Sequence, residues 1–256
     1  MATIRSALSK YKRFGQFTYS ELFELLLTSI TFGFILSFNK WGNETFNAEI
    51  GFRNLIGYSA ISLLAMLIMI FGSKFAAVQF GFESKYKLWK TGLGISFLAC
   101  VLTNGIPIIL TTGGLVLKSH EGLQTGKFFR GPVRKHRSHI AFFGIFSLVI
   151  YATIIKSLKF LPESTTKIII NYSLLIGAFS LIPFDLLFVT VQKKIPNSNG
   201  CYIIGSNISR YIFVWVFLIS SWLLIWFVGF WSLIIGIILG TIAFIAWILW
   251  GPYGTL

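Results

Sequence analysis

The sequence predicts an all-α polytopic membrane protein with about six transmembrane helices and a re-entrant or strand-like element between the second and third spans. Three observations predict it. Of 256 residues, 55% are hydrophobic and 12% charged, and the apolar runs recur near the length of about 20 residues that a ~30 Å hydrocarbon core demands. The 22 lysines and arginines collect between those runs, as positive charge does in the cytoplasmic loops of membrane proteins. One apolar stretch, 91–117, carries glycine, proline and threonine where a straight span would not.

The chain opens with Arg5, Lys10, Lys12 and Arg13, and its first apolar run follows Glu21 and Glu24. No small-residue cleavage site is evident, so a retained first span is expected at 24–39. Further spans are expected at 54–73, 140–155 and 168–184, with two more in 211–256. Trp222, Trp226, Trp231, Trp247 and Trp250 fall near the expected ends of the last two, as interfacial belts do. These two form a C-terminal helical hairpin over 211–250, within a single membrane domain covering 1–256.

The segment 91–117 decides the topology. Gly92, Gly94, Gly105, Pro107, Gly113 and Gly114 interrupt it, with Thr103, Thr111 and Thr112 between them. An interior proline costs a helix ~3 kcal/mol, and broken backbone at membrane depth needs protein or water to satisfy it. If the segment enters and returns, the inner side holds four basic residues in 1–20, ten in 74–139 and three in 190–210, leaving five outside. If it crosses, the 22 divide equally, eleven to a side. The re-entrant arrangement polarises far better. It puts both termini in the cytoplasm, makes 74–90 and 118–139 inner connections, and leaves 39–53 and 156–167 as outer loops.

The net charge of +14 then faces anionic lipid rather than nucleic acid, at ~1 kcal/mol for each basic residue near the surface. Lys127, Arg130, Arg134, Lys135 and Arg137 are the lipid- or partner-facing set. His136 and His139 stand three apart among them, but the surrounding cations oppose a divalent metal. "HEGLQ" (120–124) starts like a zinc motif but has Gln124 in place of the second histidine, in a glycine-rich loop. All three histidines fall between 120 and 139, away from any span, which argues against intramembrane serine chemistry. Two cysteines, Cys100 and Cys201, give no disulfide framework. Tripeptides at Asn43, Asn171 and Asn207 fit the glycosylation pattern, which chance also produces. Asp185, the chain's one aspartate, ends an apolar run; it is either an interfacial carboxylate or a functional group at membrane depth.

"MIFGSKFAAVQFG" (69–81) resembles the helix of site-2 proteases, the intramembrane zinc metalloproteases, with Lys74-Phe75, Ala77 and Gly81 in step. "FTYSELFELLLTSITFGFILSF" (17–38) is similar to that family's first helix. "YKLWKTGLGISF" (86–97) and "GIPIILTTGGLVL" (105–117) resemble its membrane-embedded strand region, "HIAFFGIFSLVI" (139–150) its Ile-Ala-x-x-Gly-Pro helix, with Ile145 at the proline, and "NGCYIIGSNISRYIF" (199–213) the segment of the third zinc ligand. The likeness covers most of 17–213. It implies a zinc site and a strand edge that binds an unwound transmembrane segment, with Gly105, Pro107, Thr111, Gly113 and Gly114 as the substrate-binding candidates.

The same resemblance puts Met69 and Ser73 at the two histidines, Ile70 at the glutamate base and Asn199 at the aspartate; Asp185 competes for that last position. Catalytic zinc takes three histidine or carboxylate ligands, and a thioether suits copper(I) better. The expectation is therefore a non-catalytic relative with no cofactor, zinc belonging to active relatives. Its partners would be membrane proteins or transmembrane peptides and anionic lipids, with self-association left open. An active metalloprotease with ligands displaced to Asp185, His120, Glu121, His136 or His139 is the alternative, as is a transporter or structural subunit of a membrane complex.

Overall fold

The computed structural model describes Tyr11 and residues 15–42, 46–119, 134–158, 161–184, 186, 198–229 and 231–250. Helix α1 (Tyr19–Ser37) starts where Glu21 reaches back to the Thr18 N–H at 2.8 Å, and a 3₁₀ turn, Phe38–Lys40, ends it. Helix α2 (Ala48–Gln79) starts on Asn47, whose side chain accepts the Ile50 N–H, and runs for 32 residues. It thus extends well past both ends of the expected span. At 1.5 Å per residue it reaches about 48 Å, longer than a hydrocarbon core is thick.

Strand β1 (Phe82–Lys87), helix α3 (Lys90–Leu102) and strand β2 (Gly114–Ser119) follow. Beyond them come α4 (Arg134–Leu158), α5 (Glu163–Leu181), the short α6 (Asn199–Ile204), α7 (Ile208–Val228) and α8 (Trp231–Trp250). Among the described residues four helices are long and apolar enough to cross a bilayer: Tyr19–Lys40, Ala48–Gln79, His136–Leu158 and Ile208–Val228. They place the chain in the helical membrane class. Helices α5 and α8 have 19 and 20 residues and are not among these four.

The chain between β1 and β2 folds back on itself. Strands β1 and β2 pair antiparallel from Phe82↔Ser119 to Lys87↔Gly114, so the two ends of everything between them lie side by side. Helix α3, with 13 residues, is about 20 Å long and cannot span. Asn104 (φ 53°) and Gly105 (φ 77°) end it in left-handed conformation, and the Gly105 N–H closes on the Cys100 carbonyl at 2.7 Å. That is a helix C-terminus built on the residues that tolerate such dihedrals.

Three expectations are corrected here. Residues 86–97 are strand only to Lys87 and helical from Lys90. Gly92 weakens that helix by ~1 kcal/mol, but its bare face packs on the Trp89 indole, which a Cβ would approach to 2.0 Å. Nor is 74–90 a free basic loop: Lys74 lies inside α2 and is buried. The inner connection at 118–139 is likewise shorter than expected, because β2 runs to Ser119 and α4 starts at Arg134.

The core runs through Phe32, Met66, Leu148, Leu174 and Phe217, all fully buried. Without a strong hydrophobic force between helices in lipid, close approach of small residues supplies the packing. Helices α2 and α4 follow this rule. The Ser147 hydroxyl donates to the Ile68 carbonyl at 3.0 Å. A Cβ on Gly72 would lie 2.3 Å from Ser147 Oγ, and one on Gly144 2.3 Å from Ser73 Oγ.

Candidate functional site

At the α2–α4 crossing, Met69 and Ser73 sit one turn apart against Gly144, and both are buried along with Ile70. Asn199, the first residue of α6, reaches the same place: its amide nitrogen is 3.8 Å from Met69 Sδ and 3.5 Å from Ser180 Oγ. Two local features hold α6 there. Ser198 caps it by accepting the Cys201 N–H at 3.3 Å. Gly200 lets its backbone lie on the end of α5, where a Cβ would meet the Leu181 carbonyl at 2.0 Å. Three positions separated by up to 130 residues thus form one cluster.

The cluster's donors are a thioether, a hydroxyl and an amide, with the Ile70 side chain beside them. None is anionic and none is an imidazole, so the residues present do not fit a zinc ion, which takes thiolate, imidazole or carboxylate. None of these four side chains can act as a general base.

Two carboxylates on α1 fix β1 from the side away from β2. Glu21 Oε1 accepts the Tyr86 N–H at 2.7 Å and Glu24 Oε2 the Leu88 N–H at 2.6 Å. Since the Tyr86 N–H points away from β2, the Tyr86↔Leu115 pair exchanges no ladder bonds, and Leu115 and Leu117 must point their backbone groups outward from β2. The Leu115 carbonyl accepts the Tyr202 hydroxyl. Helix α6 therefore touches the cluster through Asn199 and the strand edge through Tyr202. Beyond Leu115, among the described residues, no backbone group bonds the outer edge at Leu117.

Glu21 has a second partner that sequence reasoning missed. Lys74 Nζ lies 2.8 Å from Glu21 Oε1, and the two side chains are 1% and 2% exposed. Lys74 also donates to the Gln16 carbonyl at 3.2 Å and stands 4.8 Å above the Phe17 ring. The signal was visible: one acidic and one basic residue at the ends of adjacent apolar runs.

Tyr86 completes the scaffold beneath the edge. The Thr28 hydroxyl donates to the Glu24 carbonyl at 2.8 Å, so the Tyr86 hydroxyl is the donor to Thr28 at 3.3 Å, and it accepts the Gly113 N–H. Burial pushes the Tyr86 phenol up to about 12, which keeps it a neutral donor.

The remaining expected residues divide. Thr111 is held to Ser96 by its N–H at 3.1 Å and its hydroxyl at 2.9 Å. Gly113 lies where a Cβ would meet the Lys87 carbonyl at 2.2 Å. Gly105 and Pro107 form the turn after α3, and only Gly114 belongs to the strand. The five substrate-binding candidates therefore do not make one edge. His136 packs 5.4 Å from the Phe80 ring and 5.8 Å from Phe82, His139 lies 6.0 Å from Phe80, and the Arg137 guanidinium stands 5.6 Å over Tyr202. Arg134 and Lys135 start α4. Lys127, Arg130, His120, Glu121 and Asp185 lie outside the described residues. Among the described residues no group of three histidine, cysteine or acidic side chains is placed to hold a metal, and both cysteines are buried.

No protein family, curated protein or solved structure matches the chain. Fold and site define it as a helical membrane protein. A returning strand pair is clamped to its first helix, and a buried, uncharged polar cluster lies beside that pair.

Proposed function

We propose that the protein is a non-catalytic relative of site-2 proteases that holds a segment of another membrane protein against the outer edge of β2, as chaperone, scaffold or regulator. In this reading it crosses the membrane six times with both termini in the cytoplasm. One observation carries it: through α6, a cluster unsuited to zinc adjoins a strand edge with outward backbone groups. An extended segment adds to such an edge through main-chain hydrogen bonds, with pockets for alternate side chains giving specificity.

Proline substitution tests the edge. The Leu117 N–H points outward, so Leu117→Pro removes a docking donor and spares the β1–β2 ladder, whereas Val116→Pro removes a ladder bond. With a photo-crosslinker at the exposed Lys118 in native membranes, Leu117→Pro is expected to lose the adducts formed by the unsubstituted edge while keeping its thermal midpoint. Val116→Pro should lose both. Unchanged adducts in Leu117→Pro would remove the β2 edge from the proposal.

Metal content tests the other half. The purified protein should carry less than ~0.1 equivalent of zinc, and chelator should leave its thermal midpoint unchanged. Stoichiometric zinc that Asn199→Ala releases would instead make it a metalloenzyme with an unusual ligand set.

A further inference from the structure

A cavity of about 270 Å³ opens between α4, α6, α7 and α8, with Ile203 lining it on α6. Its polar wall is Ser138 and His139, near the start of α4, and Arg210, in the first turn of α7; the Arg210 Nη1 donates to Ser138 Oγ at 3.2 Å. Its apolar wall is Phe142, Phe213 and Val214, one turn further along the same two helices. The charge thus sits at the helix ends and the hydrocarbon wall leads away from it along the membrane-crossing direction. Among the described residues no carboxylate pairs with Arg210, and the guanidinium keeps donors beyond the one given to Ser138.

We propose that this cavity binds an anionic phospholipid, with the headgroup phosphate on Arg210 beside Ser138 and an acyl chain along Phe142, Phe213 and Val214. Three features select this occupant. Arginine matches phosphate in charge and in its forked geometry. The order of polar and apolar walls reproduces that of a lipid at an interface. The volume is too small to enclose a whole phospholipid, so an acyl chain bound here continues past the cavity along the helices. The site rests on the membrane class of the fold and not on partner binding at β2.

The test uses the full-length protein in detergent, titrated with phosphatidylglycerol, phosphatidylcholine or inorganic phosphate. Retained lipid is read by native mass spectrometry and the thermal midpoint in parallel. Phosphatidylglycerol is expected to bind and raise the midpoint, phosphatidylcholine to bind at least about tenfold more weakly, and Arg210→Gln to lower phosphatidylglycerol affinity about tenfold, the scale of a lost charge-assisted hydrogen bond. Thr241→Trp, which fills the α8 side of the cavity and keeps Arg210 in the chain, should give a similar loss and covers the case of a misfolded Arg210 variant. Leu117→Pro should bind lipid as the unsubstituted protein does. Equal binding of the two lipids, undiminished binding by both variants, or full stabilisation by inorganic phosphate alone would overturn the proposal.

Discussion

Lys74→Met is expected to destabilise the protein by about 3–5 kcal/mol, the range for breaking a buried ion pair from one side. The carboxylate left behind, Glu21, is 2% exposed and would keep only the N–H groups of Thr18 and Tyr86 and the Thr18 hydroxyl. Removing the acid instead, as Glu21→Ala, leaves the ammonium buried and also frees the Tyr86 N–H, so the loss should be at least as large. The double variant Glu21→Gln with Lys74→Met replaces both charges and retains an acceptor for β1. It should recover more than half of the loss, because an ion pair exchanged whole for neutral groups is often close to neutral in stability. Thermal unfolding in detergent reads this as a fall of about 6–20 °C for either single change, with the cycle reporting the coupling. Single variants that each lose less than ~1 kcal/mol would mean that the pair is solvated.

Gly144→Ala is expected to cost about 1–3 kcal/mol. The added methyl would sit 2.3 Å from Ser73 Oγ and 2.9 Å from the Met69 carbonyl. The hydroxyl can turn aside, but the carbonyl belongs to the α2 backbone, so the two helices must separate. Gly72→Ala meets the Phe143 carbonyl at 2.8 Å and Ser147 Cβ at 2.6 Å, and should cost a similar amount. Combining the two is expected to give less than the sum, because one separation of α2 from α4 relieves both contacts. A fully additive double variant would show that each glycine acts locally. Gly57→Ala, where nothing lies within 4 Å of the new methyl, is the control and should be neutral or slightly stabilising.

Much of this fold was legible because lipid reduces the possibilities: long apolar runs become helices, and the interruption of 91–117 by Pro107 and paired glycines announced a turn back. The β1–β2 pairing brings the two ends of that stretch together. The strand assignment for 86–97 failed because local composition does not reveal that Trp89 covers Gly92. No periodicity links Met69 with Asn199, 130 residues further on, so their contact is seen only in the fold. Lys74 was counted with the solvated cations because its partner lies 53 residues away on another helix. Arg210 was invisible as a site, for a single basic residue after a loop is commonplace until four helices close around it.

The antiparallel pairing of Phe82 with Ser119 also dictates an order of assembly during synthesis. When β1 leaves the ribosome, its Glu21 and Glu24 partners on α1 have already been made, so one edge can be fixed at once. The other edge must wait until residues 114–119 emerge, and α3 meanwhile hangs from a half-built sheet. A pause or truncation between 90 and 113 would strand that nascent chain with an open β1 edge, ready to pair with a neighbouring polypeptide.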